Sequence, residues 1–430
     1  MKIHLMGVGG AGVSALARVL KARGHEVSGC DLKSSNTTAE LEDAGIRVEL
    51  GHDPEHVLFQ DLLVYSGAIK SSPELDAARA MGVRVVTRAE MLAELIAESD
   101  SIAIAGSAGK TTVTYMVGHI LTEAGLDPTV LVGDGSSSRA GGSRLLVAEV
   151  DESDGSLVLH HPRRAIITNI ELDHIDHFKD VEAVQSLFAD FAAGLPADGL
   201  AVLCADDERA RSLESKARRV TYGFDESADY RCGDGRPFTI HHKGRELGRV
   251  NLRQPGRHNV QNATGAAALA LESGVSFSEV AGALERFPGA HRRLEFIGVF
   301  QGAAVYDDYG HHPTKVRATL QAVRELRHRR LIVVFQPHRY SRLSALMQDF
   351  SRAFTAADKV LVLDVYAAGE DNPTGVQGSD LANLLPNGSY VGDFEGAREV
   401  LEGLVGRDDI LLLMGAGDIR KLGDELAHRV

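Results

Sequence analysis

Few stretches restrict a fold as tightly as Ser101 to Thr112, in which the apolar run Ile102 to Ala105 meets Gly106-Ser-Ala-Gly109 and then Lys110-Thr-Thr112. Val113, Met116, Val117, Ile120 and Leu121 follow at helical spacing. The pattern predicts a strand, a glycine loop and a helix. In such a loop the glycines let backbone N–H groups approach phosphate oxygens, the lysine adds a mobile positive charge, and a threonine hydroxyl can hold Mg²⁺. Two residues separate Gly106 from Gly109, where the common P-loop has about four. A nucleoside triphosphate is the ligand implied.

With 430 residues the chain exceeds one ordinary core, and about two to four domains are expected. Its 44% apolar and 25% charged composition is that of a globular protein. A net charge of −14 argues against a nucleic-acid partner and against an acidic membrane surface, so a polyanionic substrate needs dedicated sites. Three cysteines (Cys30, Cys204, Cys232) without a C-x-x-C suit a reducing compartment and give no zinc framework. There is no signal-peptide pattern and no apolar run of membrane-spanning length, and the expected location is cytoplasmic.

Taken in order, residues 3 to 8 read as a strand, Gly7-Val-Gly-Gly-Ala-Gly12 as a turn, and Val13, Leu16, Ala17 and Leu20 as a helix face. A second strand from Glu26 to Cys30 ends in Asp31, placed where a ribose hydroxyl would be met. The fingerprint reports a phosphate-bearing nucleotide, with a dinucleotide one of its options. Strands at Leu62 to Tyr65 and Val83 to Val86 flank a helix from Pro73, and a boundary falls near Glu94 to Ser101. After the phosphate loop, the strand Leu145 to Val150 delivers Glu149, Asp151, Glu152 and Asp154 to its C-terminal end, a cluster that calls for a cation such as Mg²⁺. Ala165 to Asn169 is a further strand, followed by His174 and His177. Residues 200 to 255 suggest a hairpin-rich extension. Asn259 and Asn262 begin an alanine-rich helix, where they either meet a base edge or cap the helix. Phe287 to Arg293 reads as a linker. The last domain alternates strands and helices, with polar clusters at Asp307 to Pro313, Gln336 to Arg342, Asp364 to Glu370 and Gly415 to Asp418. Clusters at equivalent strand ends of one sheet imply a composite site.

These clusters, in this order, resemble the Mur ligase family over nearly the whole chain. The residues that carry the resemblance are Gly-Ser-Ala-Gly-Lys-Thr-Thr (106 to 112), Glu-Val-Asp-Glu-Ser-Asp (149 to 154), Gly-Arg-His-Asn (256 to 259), Asp-Asp-Tyr-Gly-His-His-Pro (307 to 313) and Phe-Gln-Pro-His-Arg-Tyr (335 to 340). The resemblance implies three α/β domains: a Rossmann-like UDP-sugar-binding domain (1–98), a central P-loop-type ATPase domain (99–287) and a Rossmann-like C-terminal domain for amino acid and ATP (288–430). It implies ATP-driven joining of L-alanine to the lactyl carboxylate of UDP-N-acetylmuramate through an acyl phosphate, with Mg²⁺. By the same resemblance, Gly7, Gly9, Gly10, Ala11, Gly12, Ser14, Asp31 and Ser66, with Asp151, Glu152 and Ser153, hold the UDP-sugar. Gly106, Ser107, Ala108, Gly109, Lys110, Thr111 and Thr112, with Asn259, Arg292 and Asp308, bind ATP. Thr111, Glu149 and His174 hold metal, and Tyr309, His312, His338, Arg339 and Arg342 surround the amino acid. Lys110, Thr111, Glu149, His174, His338, Arg339 and Arg342 form the implied catalytic set.

The chain departs from the family pattern at Ala108, where a histidine is usual, at Val113, where a threonine is usual, and in the glycine- and serine-rich stretch Gly133 to Ser143, which reads as a substrate loop. Two alternatives stay open: a recycling ligase that adds a preformed peptide to the same sugar nucleotide, and a sugar-nucleotide-binding regulator with impaired turnover.

Overall fold

The computed structural model describes residues 1–133, 138–172 and 177–427. Within these, three α/β sheets follow one another along the chain. The first has strand order β3-β2-β1-β4-β5, built from β1 (Lys2–Met6), β2 (Glu26–Asp31), β3 (Arg47–Leu50), β4 (Leu62–Tyr65) and β5 (Arg84–Thr87), all parallel. The order reverses between β1 and β4, and ligands of open α/β sheets sit in the crevice beyond such a reversal.

The second sheet contains β6 (Asp100–Ala105), β7 (Thr129–Leu131), β8 (Leu145–Glu149), β9 (Arg164–Ile167), β10 (Leu200–Cys204), β11 (Arg218–Gly223), β12 (Tyr230–Cys232), β13 (Phe238–His242) and β14 (Arg245–Val250). Its order is β14-β13-β12-β11-β10-β9-β6-β8-β7. β6 therefore lies between β9 and β8, both parallel to it, and the loops after all three strands open on one edge. The region expected to be hairpin-rich extends this sheet first with the parallel strands β10, β11 and β12. The antiparallel pairings of this sheet are β12 with β13 and β13 with β14. The helix Lys110–Glu123 after β6 buries Val113, Met116, Val117, Ile120 and Leu121, the face its spacing predicts.

The third sheet comprises β15 (Glu295–Phe300), β16 (Ala303–Asp308), β17 (Leu331–Phe335), β18 (Lys359–Leu363), β19 (Gly388–Gly392) and β20 (Ile410–Met414), ordered β15-β16-β20-β17-β18-β19. Its strands alternate strictly between two cores. Leu331, Val333 and Phe335 with Ile410, Leu412 and Met414 face one, and Ile332, Val334, Leu411 and Leu413 face the other. Both faces are covered, which is why β17 and β20 read as unbroken apolar runs. The expected helix through Phe350 is two, Tyr340–Ala345 and Met347–Ala353, separated at Leu346.

The chain divides into two compact units, Met1–Leu252 with Gln261–Phe287, and Arg253–Val260 with Pro288–Val430. Among the described residues no helix is long and apolar enough to cross a membrane.

Just before β20, the fully buried carboxylate of Asp409 accepts two bonds of 2.9 Å from Arg329 and bonds of 2.7 and 3.3 Å from Arg330. These ties fix the start of β20 against that of β17. Asp409→Asn is expected to lower the hydrogen-exchange protection of the 331–335 and 410–414 amides by roughly ten- to a hundred-fold, equivalent to about 1.5–3 kcal/mol for bonds to a charged group. Unchanged protection would show that the pairing contributes nothing.

Candidate functional site

The phosphate-type loop is shaped from below by the segment after β9. Gly106 has φ +136°, and a Cβ there would lie 2.0 Å from Thr168 Oγ1, so no other residue fits. The Thr168 hydroxyl donates to the Ala108 carbonyl at 2.6 Å, and Asn169 both accepts from the Ala108 N–H at 2.8 Å and donates to its carbonyl at 3.1 Å. Ser107 exchanges hydrogen bonds with the backbone of Glu171. The backbone at Ala108 is thus held by its neighbours, and the shape of the loop does not depend on the side chain at that departure from the family pattern.

Lys110 is the charge centre of this loop. Its Nζ donates to the Gly106 carbonyl at 2.7 Å and to Glu152 Oε2 at 2.7 Å, with Asp151 3.5 Å away. Burial alone would lower its pKa, but Glu152, Asp151 and Glu149 together push it up, and it stays a cation. Glu152 is buried, and that burial raises its pKa against the opposing pull of Lys110. Its second oxygen, Oε1, is a buried acceptor without a hydrogen-bond donor. Thr111 Oγ1 donates to Glu149 Oε1 at 3.1 Å, while the Gly133 N–H holds the other Glu149 oxygen at 3.0 Å. A hydroxyl and a carboxylate side by side at the ends of adjacent parallel strands are oxygen donors of the kind Mg²⁺ takes, so the residues fit that ion. Ser153 turns back onto Asp151 at 2.9 Å, and Thr112 is buried in the first helical turn. His174, the other expected metal ligand, lies outside the described residues, as do residues 134–137 of the expected substrate loop.

In the first sheet the turn Gly7 to Gly12 follows β1 and opens the helix Ala11–Ala22. Asp31 Oδ2 accepts from the Gly9 N–H at 2.9 Å, the same distance at which a Cβ on Gly9 would meet that oxygen. Asp31 therefore braces the turn. Ser66 ends β4 beside Gly7, whereas Ser14 is buried and donates to the Ala11 carbonyl at 2.9 Å, away from a ligand.

Apart from Asn259, the remaining expected residues gather in the second compact unit near the C-terminal ends of β16, β20, β17 and β18. Arg292, with a positive φ of 54°, is not a passive linker residue. It donates to Asp307 at 3.0 Å and to the carbonyls of Gly415 and Gly417 at 2.7 and 3.2 Å, tying the ends of β16 and β20 together. Asp308 is buried and accepts from the N–H groups of Leu294 and Gly310 at 2.9 and 2.8 Å. The Tyr309 ring has the guanidinium carbons of Arg292 and Arg293 each 5.1 Å from its centre. Arg339 takes the unusual φ of 69°, pairs with Glu370 at 3.6 Å, and starts the short helix that carries Arg342. Backbone strain of this kind is found at ligand sites. Arg342 lies 3.2 Å from His338 Nδ1.

Asn259 and Asn262 part company. Asn262 Oδ1 packs over Gly109 of the loop, while Asn259 donates to the Pro255 carbonyl at 2.7 Å within the other unit. His312 caps the helix Pro313–Arg324, and its neighbour His311 faces the site, 5.3 Å from Tyr309 and 6.0 Å from His338 between ring centres. Spacing could not separate two adjacent histidines. Tyr366, stacked on His338 at 5.6 Å, and Glu370 belong to the same group, and the Asp364 to Glu370 cluster was their only sequence signal.

Three family descriptions match the chain: Mur ligase family, catalytic domain, over residues 2–100; Mur ligase middle domain over 104–270; and Mur ligase, glutamate ligase domain, over 292–417. The UDP-N-acetylmuramate–L-alanine ligase of Desulfatibacillum aliphaticivorans is 42% identical over 99% of this chain and 98% of its own length. That of Aquifex aeolicus is 40% identical over 100% and 98%. Among solved structures, the UDP-N-acetylmuramate-alanine ligase of Thermotoga maritima superposes with TM-score 0.83 at 28% identity, covering 99% of this chain and 98% of that one. A murein peptide ligase of Psychrobacter arcticus superposes with TM-score 0.72 at 26% identity over the same shares.

The His338 ring is half-buried, and this burial, with the charges of Arg342 and Arg339 added to it, lowers its pKa from 6.5 to about 4. An unfolded chain takes up this proton near pH 6.5 and the folded one only near 4, so the stability contributed by the neutral ring is complete above the first value and declines as pH falls toward the second. The proton resonance missing from His338→Gln spectra should not shift between neutral pH and roughly pH 5; titration at the ordinary value would contradict this burial.

Proposed function

The chain belongs to the Mur ligase family, and from that membership we propose that it joins L-alanine to the lactyl carboxylate of UDP-N-acetylmuramate in an ATP-driven reaction that forms an acyl phosphate. The observation that carries this reading is the group of Lys110, Thr111 and Glu149 at the ends of β6 and β8, in a chain matched end to end by alanine ligases. We assign UDP-sugar binding to residues 1–98, ATP binding to 99–287 and amino-acid binding to 288–430.

A carboxylate attacking a γ-phosphate meets like-charge repulsion, and cations are how a protein overcomes it. Gly106 to Thr112 cradle the phosphates, and Lys110 follows the transferring group. Thr111 and Glu149 would hold Mg²⁺, with His174 expected at a second ion, and the metal supplies further charge neutralisation. As the lactyl oxygen bonds to the γ-phosphorus, the bond to the β–γ bridging oxygen breaks and ADP departs. The alanine amine then attacks the acyl carbon, inorganic phosphate leaves, and the amine gives up its proton. Arg339 and Arg342 suit the alanine carboxylate, since a guanidinium fork matches it. The neutral His338 accepts from the Arg342 guanidinium through Nδ1 and so positions it, and Tyr309 walls the same group of residues. Asn259, Arg292 and Asp308 are assigned to the nucleotide from the C-terminal unit, where Arg292 and Asp308 also shape the strand ends.

Phosphate release from ATP, Mg²⁺ and UDP-N-acetylmuramate should require L-alanine. Lys110→Ala should lower kcat by about 10²–10³-fold, the scale for loss of one charge-stabilising group. Arg342→Ala should act mainly on the KM for alanine. Preference for a preformed tripeptide would favour a recycling ligase, and sugar-nucleotide binding without turnover would favour a regulator; either overturns the proposal.

A further inference from the structure

Behind the N-terminal glycine turn, His4 on β1, Cys30 on β2, His56 in the short turn Pro54–Val57 and Glu74 at the start of the helix Pro73–Ala80 bring one ligand atom each to within 4.8 Å of one another. None of these residues is used by the ligase chemistry. His4, Cys30 and Glu74 are wholly buried. The cluster borders the apolar core of Met6, Val57, Leu63, Leu75 and Ala78, where a lone carboxylate would be costly.

The ligand atoms converge on a common centre. Glu74 Oε1 lies 2.9 Å from His4 Nε2 and 3.4 Å from His56 Nδ1, and the Cys30 sulfur lies 3.3 Å from Glu74 Oε2. A tetrahedron with metal–ligand distances of about 2.0–2.3 Å has edges of about 3.3–3.8 Å. The far nitrogens are also anchored as metal-bound histidines require. His4 Nδ1 meets Ser28 Oγ at 2.8 Å, which leaves Nε2 toward the centre, and that buried nitrogen has no partner of hydrogen-bond geometry. His56 Nε2 faces Glu49 at 3.3 Å, which leaves Nδ1 inward, where the Asp53 N–H also points at 3.4 Å. His52 Nδ1, 3.3 Å from the sulfur and 3.2 Å from Glu74, lines the same centre.

We propose that His4, Cys30, His56 and Glu74 form a structural site for a divalent metal of the zinc class. Two imidazoles, a thiolate and a carboxylate are a donor set that suits zinc and excludes Mg²⁺. On binding, the Cys30 thiol releases its proton to solvent and the sulfur bonds to the metal. The Cys30 carbonyl accepts from the N–H groups of Gly7 and Val8 at 2.9 and 3.1 Å, so the metal would brace the nucleotide turn through one residue.

The test uses the full chain, stripped with chelator and titrated with Co²⁺ and with Zn²⁺. One tightly held equivalent is expected, with an intense thiolate-to-cobalt charge-transfer band that Cys30→Ser removes. Cobalt bound by Thr111 and Glu149 has oxygen ligands and gives no such band. Glu49→Gln, a change at a partly exposed residue, should keep the band and weaken metal affinity by about 10–100-fold, the usual effect of losing a histidine's outer partner. Absence of the band, its persistence in Cys30→Ser, or unchanged affinity in Glu49→Gln would overturn the proposal.

Discussion

Lys110 stands among Glu149, Asp151 and Glu152, and the charge balance of the phosphate loop depends on that arrangement. A buried ammonium is costly unless opposite charges compensate it, and the buried carboxylate of Glu152 is costly unless a cation sits beside it. Each therefore makes the other tolerable. The contact with the Gly106 carbonyl ties the lysine to the turn that precedes it. A consequence follows for the ligand: a triphosphate approaching alone would face three carboxylates as well as the lysine. In the proposed function, the metal ion that Thr111 and Glu149 would hold offsets those carboxylates.

The same principle recurs at the ends of the other sheets. Asp31 braces the N-terminal turn through the Gly9 N–H, and Arg292 ties Asp307 to the 415–417 loop. In each case a charged side chain at the C-terminal edge of a parallel sheet organises backbone that a ligand would meet. Regular strands supply rigidity, and the ionic contacts supply the loop shapes.

Much of this was legible in the sequence because it follows from local rules. The strand–loop–helix at Ile102 to Leu121 and the apolar runs of β17 and β20 follow from periodicity and burial on both sheet faces. Strands β3 and β19 were not legible, since edge strands that are only partly buried carry no clear apolar pattern. Phe287 to Arg293 read as a linker because it carries a proline and a glycine, yet Arg292, at a positive φ, bonds to the sheet. The cluster of His4, Cys30, His56 and Glu74 left no trace in cysteine spacing, because its members come from four separate elements. His311 and His312 differ in role only through the helix cap, which spacing alone cannot assign.

In the proposed function, the Lys110 loop presents a phosphoryl group to a carboxylate. Heavy-oxygen label in the lactyl carboxylate of UDP-N-acetylmuramate tests it most directly, because an acyl phosphate must hand one labelled oxygen to the departing phosphate. Label recovered in inorganic phosphate, in proportion to amide formed, is the predicted result. Amide formed with all the label retained in the product or lost to water would contradict it.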